Sequence, residues 1–244
     1  AQTALLTALN THVFSVNLNT FEQQLGELED QTQAYCQAIE DNSSQVDASR
    51  AEAQSAWRSA MSNWQQIEMM QMGPLVTNDG SLRDQIYAWP NKVGCGVDQD
   101  IGHYELGQFN GAPYNISTRT SDRRGLDALE YILFNDDLNH SCSNDSWAPA
   151  GWNERDEQER KLARCQFGAE LVRDLKASAT TLAAAWGDAN SGFAKELLTA
   201  GSADSQFESA HKAINAITDA LFYIDSITKD RKLGAPSGLI ANTC

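Results

Sequence analysis

The chain has 244 residues, and its 33 acidic and 18 basic side chains give a formal net charge of −15 at pH 7. This negative charge repels nucleic-acid phosphates and anionic lipid, which argues against nucleic acid or a lipid surface as a partner. Apolar residues make up 41% of the sequence, as in an ordinary globular core, and no apolar run approaches the roughly 20 residues of a membrane-spanning helix.

Long amphipathic helices are predicted in the first and the last parts of the chain. All five prolines lie between residues 74 and 236, and the stretches 1–73 and 150–235 contain none. Proline costs about 3 kcal/mol inside a helix, so proline-free stretches of this length favour long helices. Residues 16–40 contain no helix breaker, and apolar residues recur every three or four positions in three further stretches: Trp57–Ile67, Leu162–Trp186 and Phe207–Ile224.

An irregular central segment, roughly residues 73–120, contains three prolines and many glycines. Helix–helix connections usually take about 2–8 residues, so a segment of this length is typical of a domain junction. Within it, Asp98 and Asp100 fit solvated loop charge better than a calcium loop, because the required glycine and glutamate spacing is missing. The prediction is an all-α protein of two antiparallel helical bundles, over residues 1–112 and 113–244.

The chain has five cysteines, and none of them lies in a C-x-x-C pair. This pattern favours disulfide bridges in an oxidising compartment over a zinc site. Cys142 and Cys165 flank a loop rich in Asn, Ser, Asp and Trp, so a bridge between these two is predicted. Cys36, Cys95 and Cys244 then leave one odd thiol, and their pairing stays open.

A short helix is predicted over Arg123–Phe134, with Thr120, Ser121 or Asp122 as its N-cap and the Asn-Asp-Asp sequence at its end. At 100° per residue its leucines form an apolar centre, and Glu130 falls on the core side between Leu126 and Phe134. A buried carboxylate is costly unless it is protonated, paired or bound to a metal. Glu130 is therefore predicted to face inward and to have a partner.

Asp127 and Glu130 are three residues apart, so they project from neighbouring turns toward the same region. Two carboxylates in this arrangement suit a hard cation or a pair of hydrogen-bond donors. A salt bridge to Arg123 or Arg124, without any ligand, is the structural alternative. His211 lies at the edge of the apolar stripe of the last helix, where it either reaches a site between helices or has a purely structural role.

The segment Gly125–Phe134 resembles the motif helix of the imelysin family, which contains Gly-x-His-x-x-Glu, with Asp127 in place of the histidine. Three other segments agree with the family in order and spacing: the tryptophan helix Trp57–Trp64 followed by Glu68, Tyr87–Pro90 followed by Cys95, Asp98 and Gln99, and Lys232–Gly238. The likeness spans most of residues 50–238, which makes it far more specific than one short motif.

The resemblance implies a bacterial protein of the periplasm or the cell surface, with a lipid anchor in the latter case. It also implies two helical bundles with the motif near their interface. Family members are linked with iron uptake, and some are described as peptidases. Gly125 and Glu130 match the motif directly, whereas Asp127 departs from it. Imidazole suits zinc and carboxylate suits harder ions, so a harder divalent or ferric metal ion is expected at Asp127.

The primary hypothesis is a non-peptidase protein that binds a cation or an iron-related ligand in a cleft between the two bundles. Asp127 and Glu130 would line the cleft, supported by five further residues: Asp98, Gln99, His211, Arg123 and Arg124. The second hypothesis is a metallopeptidase with Asp127 as a metal ligand, although the chain lacks the zinc-binding sequence H-E-x-x-H. The third is a structural protein whose acidic pair is locked by an arginine and which docks onto an outer-membrane or periplasmic protein.

Overall fold

The computed structural model describes residues 1–89 and 94–240, which are predominantly helical and confirm the all-α class. The α-helices are α1 (Gln2–Leu9), α2 (Ser15–Glu40), α3 (Val46–Ile67), α4 (Ser81–Ile86), α5 (Gly94–Glu105), α6 (Gly125–Phe134), α7 (Glu157–Trp186), α8 (Gly192–Leu198) and α9 (Ala210–Ala220). Two π-helical segments cover Asn10–Phe14 and Ile224–Gly234, and two short antiparallel strands, β1 (Gln108–Phe109) and β2 (Ala112–Pro113), pair with each other. Within these ranges, no helix combines the length and the apolar character needed to cross a membrane.

The long helices were predicted correctly, but the central segment was not. Residues 73–120 contain α4 and α5, which no apolar periodicity had indicated. Helix α5 has three glycines in twelve residues, and each costs about 1 kcal/mol of helix propensity relative to alanine. Tertiary packing overrides this cost, because Val97 and Ile101 are fully buried on the same helix as the buried Asp98 and Asp100.

One compact unit is built from three stretches of chain: Ala1–Glu22, Ser62–Arg83 and the residues from Ala179 onward. Its core is aromatic, with Trp64 and Trp186 both fully buried. Phe21 packs against Trp64 at 5.5 Å between ring centroids, and Phe14 packs against Trp186 at 5.3 Å. Aromatic pairs at this separation add about 0.5–1.5 kcal/mol each beyond the burial of their surface.

The second compact unit is built from Gln23–Met61 and Asp84–Ser178. The units are thus not the two consecutive stretches, 1–112 and 113–244, that the sequence analysis predicted. Helix α6 and its neighbours belong to this second unit, where Phe167 and Trp152 are among the fully buried side chains.

The two disulfides among the described residues lie in the second unit, and the predicted bridge between Cys142 and Cys165 is wrong. Cys165 on α7 is bonded to Cys36 on α2, and Cys142 is bonded to Cys95 on α5. The first bridge joins residues 129 apart in sequence, so it depends on helix packing that loop composition does not reveal. Cys244, whose pairing was left open, lies outside the described residues, as does Pro90 of the family-like segment.

Candidate functional site

Helix α6 begins at Gly125 because only glycine fits there. Its φ angle is +72°, and a Cβ atom at this position would lie 2.4 Å from the Ile86 carbonyl oxygen and 2.8 Å from that of Gln85. Both obstacles are backbone atoms at the end of α4, so a side chain could not be accommodated by a rotamer change. The motif glycine therefore fixes the close approach of the start of α6 to α4.

Side chains of α3 hold both ends of α6. Trp57 donates its indole N–H to the carbonyl oxygen of Leu126 at 2.8 Å. At the other end, Gln54 Nε2 and Arg50 Nε donate to the carbonyl oxygen of Leu133 at 2.8 and 2.9 Å. The last carbonyls of a helix have no hydrogen-bond partner within the helix. Gln54 and Arg50 therefore supply donors to a carbonyl oxygen that the helix itself leaves unpaired.

The two motif carboxylates differ in burial, and Glu130, which was predicted to face inward, is the less buried of the two. Asp127 is fully buried, whereas Glu130 is only partly buried. The helical wheel assumed one apolar face, but every residue from Gly125 to Leu129 is buried, which means that α6 is enclosed on several sides. A helical wheel that assumes a single core direction cannot predict which of two acids on such a helix is more buried.

The two arginines that precede α6 bind other carboxylates than the motif acids. Arg124 makes a bidentate ion pair with Asp174 on α7, at 2.9 Å from Nε and 2.7 Å from Nη2, and both side chains are about 5% exposed. Arg123 donates to the Gln99 side chain at 3.1 Å and lies 3.5 Å from Asp100. The predicted locking of the acidic pair by Arg123 or Arg124 is therefore replaced by ion pairs to α5 and α7.

Asp98 is a buried acceptor and not the solvated loop charge that was predicted. Its carboxylate accepts hydrogen bonds from the Tyr131 hydroxyl at 2.9 Å and from the backbone N–H of Ser141 at 2.7 Å. Arg164 on α7 approaches the same carboxylate at 3.4 Å. Burial, with a contribution from the charge of Asp98, raises the pKa of Tyr131 above its ordinary value. Tyr131 therefore donates from its neutral form and ties α6 to α5.

Asp100, two residues further along α5, is also buried and was likewise predicted to be solvated. Arg119 binds it with two nitrogens, Nε at 3.0 Å and Nη2 at 2.8 Å. The hydrogen bond to Asp100 raises the pKa of Arg119. Pairs of this geometry are the strong form of ion pair, so α5 is fixed to the segment before α6.

Comparisons with known proteins connect this site to a family. The Imelysin family model matches residues 17–243. The chain belongs to the imelysin family. Its fold is similar to the crystal structure of an imelysin-like protein from Psychrobacter arcticum 273-4, with a TM-score of 0.51 and 16% identity over 92% of this chain. The chain spans 61% of the length of that structure. No curated protein matches this chain.

In this imelysin-family chain, most of the predicted site residues lie in one compact unit. Gly125, Asp127, Glu130, Arg123 and Arg124 lie on or directly before α6, and Asp98 and Gln99 lie on α5 of the same unit. His211 belongs to the other unit, where it is exposed and its Nδ1 lies 3.4 Å from the Gln2 side chain. Among residues 1–89 and 94–240, no group of three or more His, Cys, Asp or Glu side chains is arranged to hold a metal ion.

Sequence reasoning missed the buried partners on α7, although a signal was present. Arg164, Phe167, Leu171 and Asp174 follow one another in steps of three and four residues, so the two charged residues continue the apolar face of the helix. A charge at such a position needs a partner, and the partners are Asp98 for Arg164 and Arg124 for Asp174.

Another buried acid, Glu68, lies in the other unit, directly after the tryptophan helix of the family pattern. Glu68 is 4% exposed and accepts hydrogen bonds from the Tyr223 hydroxyl and the Lys232 ammonium group. The contact with Lys232 joins the end of the tryptophan helix to the closing segment of the family pattern. The resemblance identified both segments but gave no indication that they meet.

Proposed function

We propose that this chain is a non-enzymatic imelysin-family protein that takes part in iron uptake in the periplasm or at the bacterial cell surface. Its ligand is an iron-bearing complex that is bound at Glu130 on the motif helix. The observation that supports this is the unequal burial of the two motif acids on α6, where Asp127 is fully buried and Glu130 is partly exposed.

The division of roles follows from that burial. Glu130 is the motif acid with exposed surface, so we assign ligand contact to Glu130 and a supporting role on α6 to the fully buried Asp127. Glu130 is partly exposed and contributes one carboxylate, whereas hard cations take about six or more oxygen ligands. A complex whose own atoms fill most of the coordination positions of the iron suits one carboxylate better than a bare ion does.

Calorimetric titration with ferric citrate, and separately with calcium chloride, tests the proposal. The wild-type chain should show saturable heat with ferric citrate, and Glu130→Gln should weaken binding about tenfold or more, as expected when a hydrogen-bonding or coordinating charge is removed. Glu170→Gln is the matched control, because Glu170 is a partly exposed glutamate of the same unit whose side chain contacts Arg173 on its own helix. Equal heats for all three proteins would contradict the proposal.

A metallopeptidase is the second candidate, because the matching family model is a peptidase family. Incubation of the pure chain with zinc and a denatured protein substrate separates the two functions. Chelator-sensitive cleavage that is lost in Glu130→Gln would favour the peptidase, whereas the binding protein should leave the substrate intact.

A further inference from the structure

The first compact unit, which contains α8 and α9, has a cavity of about 670 Å³ that none of the predicted site residues lines. Its floor is apolar and includes Pro74 and the buried Phe193, and hydroxyl and amide side chains surround this floor. They are Thr77, Ser81, Ser191, Asn78, Asn190 and Gln206. Small-molecule sites have volumes of about 300–1,000 Å³ and a similar composition, in which a few polar groups on an apolar surface orient the ligand.

Aromatic packing fixes the floor of this cavity. Phe193 on α8 packs against Trp186 at 5.3 Å between ring centroids and against Phe207 at 6.0 Å. Gly73 lies directly against the Phe193 ring, because a Cβ atom on this glycine would be 2.5 Å from the nearest ring atom. The segment that begins at Gly73 is therefore held close to α8, and both sides of the cavity are built on one aromatic core.

One side of the cavity contains a turn with an uncommon backbone conformation. Asn78 and Asp79 have φ angles of 52° and 56°, and Gly80 has a φ of 76°, so three consecutive residues are left-handed. Residues other than glycine rarely adopt this conformation, and they keep it only where the surrounding structure holds them. Such residues cluster at ligand-binding sites, and Asn78 lines the cavity.

The other side carries two opposite charges, on the consecutive residues Lys195 and Glu196 of α8. Both line the cavity and are partly exposed. They do not pair with each other, and within residues 1–89 and 94–240 Lys195 makes no ion pair at all. Glu196 accepts a hydrogen bond from the backbone N–H of Gln206 at 2.6 Å, through one of its two carboxylate oxygens. The Lys195 ammonium group and the second Glu196 oxygen are therefore available to a ligand.

We propose that this cavity binds a free α-amino acid. Such a ligand carries a carboxylate for Lys195 and an ammonium group for Glu196, and both contacts are charge-assisted hydrogen bonds. The two residues are consecutive, with Cα atoms about 3.8 Å apart, so they suit a ligand whose opposite charges are attached to one carbon atom. The amides of Asn78 and Gln206 can both donate and accept, which suits a polar side chain on the ligand. This site is separate from the iron complex proposed at Glu130, which lies in the second unit.

Calorimetric titration of the full chain with L-glutamine tests the proposal, and we expect saturable binding of one molecule per chain. N-acetyl-L-glutamine lacks the ammonium group and L-glutaminamide lacks the carboxylate, so each should bind at least about tenfold more weakly. Triglycine carries the same two charges farther apart. It should also bind at least about tenfold more weakly, because it cannot make both contacts at once.

Two variants test which residue meets which charge of the ligand. Lys195→Gln should weaken binding of L-glutamine about tenfold and should bind L-glutaminamide equally well, because the partner of the carboxylate is gone. Glu196→Gln should likewise bind L-glutamine and N-acetyl-L-glutamine equally well. The amide oxygen of this variant can still accept the hydrogen bond from Gln206, so the fold is preserved.

Lys212→Gln is the matched control, since Lys212 is an exposed lysine on α9 of the same unit and does not line the cavity. It should bind L-glutamine within about twofold of wild type. Glu130→Gln should do the same, which makes this test independent of the proposed iron ligand. The proposal is overturned if L-glutamine shows no saturable binding, if a blocked derivative or triglycine binds as tightly as L-glutamine, or if Lys195→Gln and Lys212→Gln weaken binding equally.

Discussion

Removal of the Asp174 carboxylate should destabilise the protein strongly, because it leaves the buried Arg124 guanidinium without its ion-pair partner. Arg124 and Asp174 face each other at 2.7 Å with about 5% of each side chain exposed. Deleting one partner of such a buried pair typically costs about 3–5 kcal/mol, since the remaining charge is left without compensation. For a chain of this size, about 2–4 °C is lost per kcal/mol, so the melting temperature of Asp174→Ala should fall by about 6–20 °C.

Two further variants show whether the stranded charge causes the loss. Asp136→Ala also breaks an ion pair, with Arg50 at 2.8 Å, but the Asp136 side chain is 88% exposed, so the cost should be about 0–1 kcal/mol. The double variant Arg124→Met/Asp174→Leu removes both buried charges and should be more stable than Asp174→Ala alone. Circular dichroism follows both experiments: thermal melting gives the melting temperatures, and urea unfolding gives the free energies of all three variants. If Asp174→Ala costs no more than Asp136→Ala, the reasoning is refuted.

Three more predictions concern the backbone, the disulfides and pH. Gly125→Ala should lower the free energy of unfolding by at least about 2 kcal/mol in denaturant unfolding, because it combines a positive φ with a backbone clash; a smaller loss would contradict this packing. Cys36→Ser/Cys165→Ser should cost about 2–5 kcal/mol by thermal melting, and an unchanged midpoint would exclude a stabilising bridge. Burial raises the pKa of Tyr35 and Tyr131 above the ordinary 10.0, so the folded state keeps protons that the unfolded state loses. Stability should therefore fall as pH rises above about 10, and tyrosinate absorbance should appear together with unfolding; tyrosinate that forms fully before unfolding would contradict this.

The C-terminal end of the motif helix could be predicted from sequence, since the helix ends at Phe134, but it begins at Gly125 and not after the predicted cap at residues 120–122. The polar Asn-Asp-Asp sequence is a local signal for the end of the helix, whereas its start depends on the contact of Gly125 with the backbone of α4. The orientation of its acids was not predictable in this way. Burial of Asp127 depends on the elements packed around α6, and the wheel contains no information about them.

Helix α5 and the disulfides could not be predicted either, because they depend on contacts between residues that are far apart in the sequence. The glycines of α5 lower its local propensity, and its buried face includes Asp98 and Asp100, so the pattern resembled a charged loop. Their arginine partners come from residues 119 and 164, and the Cys36–Cys165 bridge closes a separation of 129 residues. Pairings of this kind are decided by tertiary packing, which a single sequence does not specify.

Metal analysis of the protein purified from its native compartment tests the central claim about Glu130 most directly. Wild-type and Glu130→Gln chains would be isolated in parallel without chelator and examined by elemental analysis, with Glu170→Gln as the control. The account predicts iron in a fixed ratio to wild-type and control chains, and a large loss of iron from Glu130→Gln. Iron-free wild-type protein, or equal iron in all three chains, would contradict it.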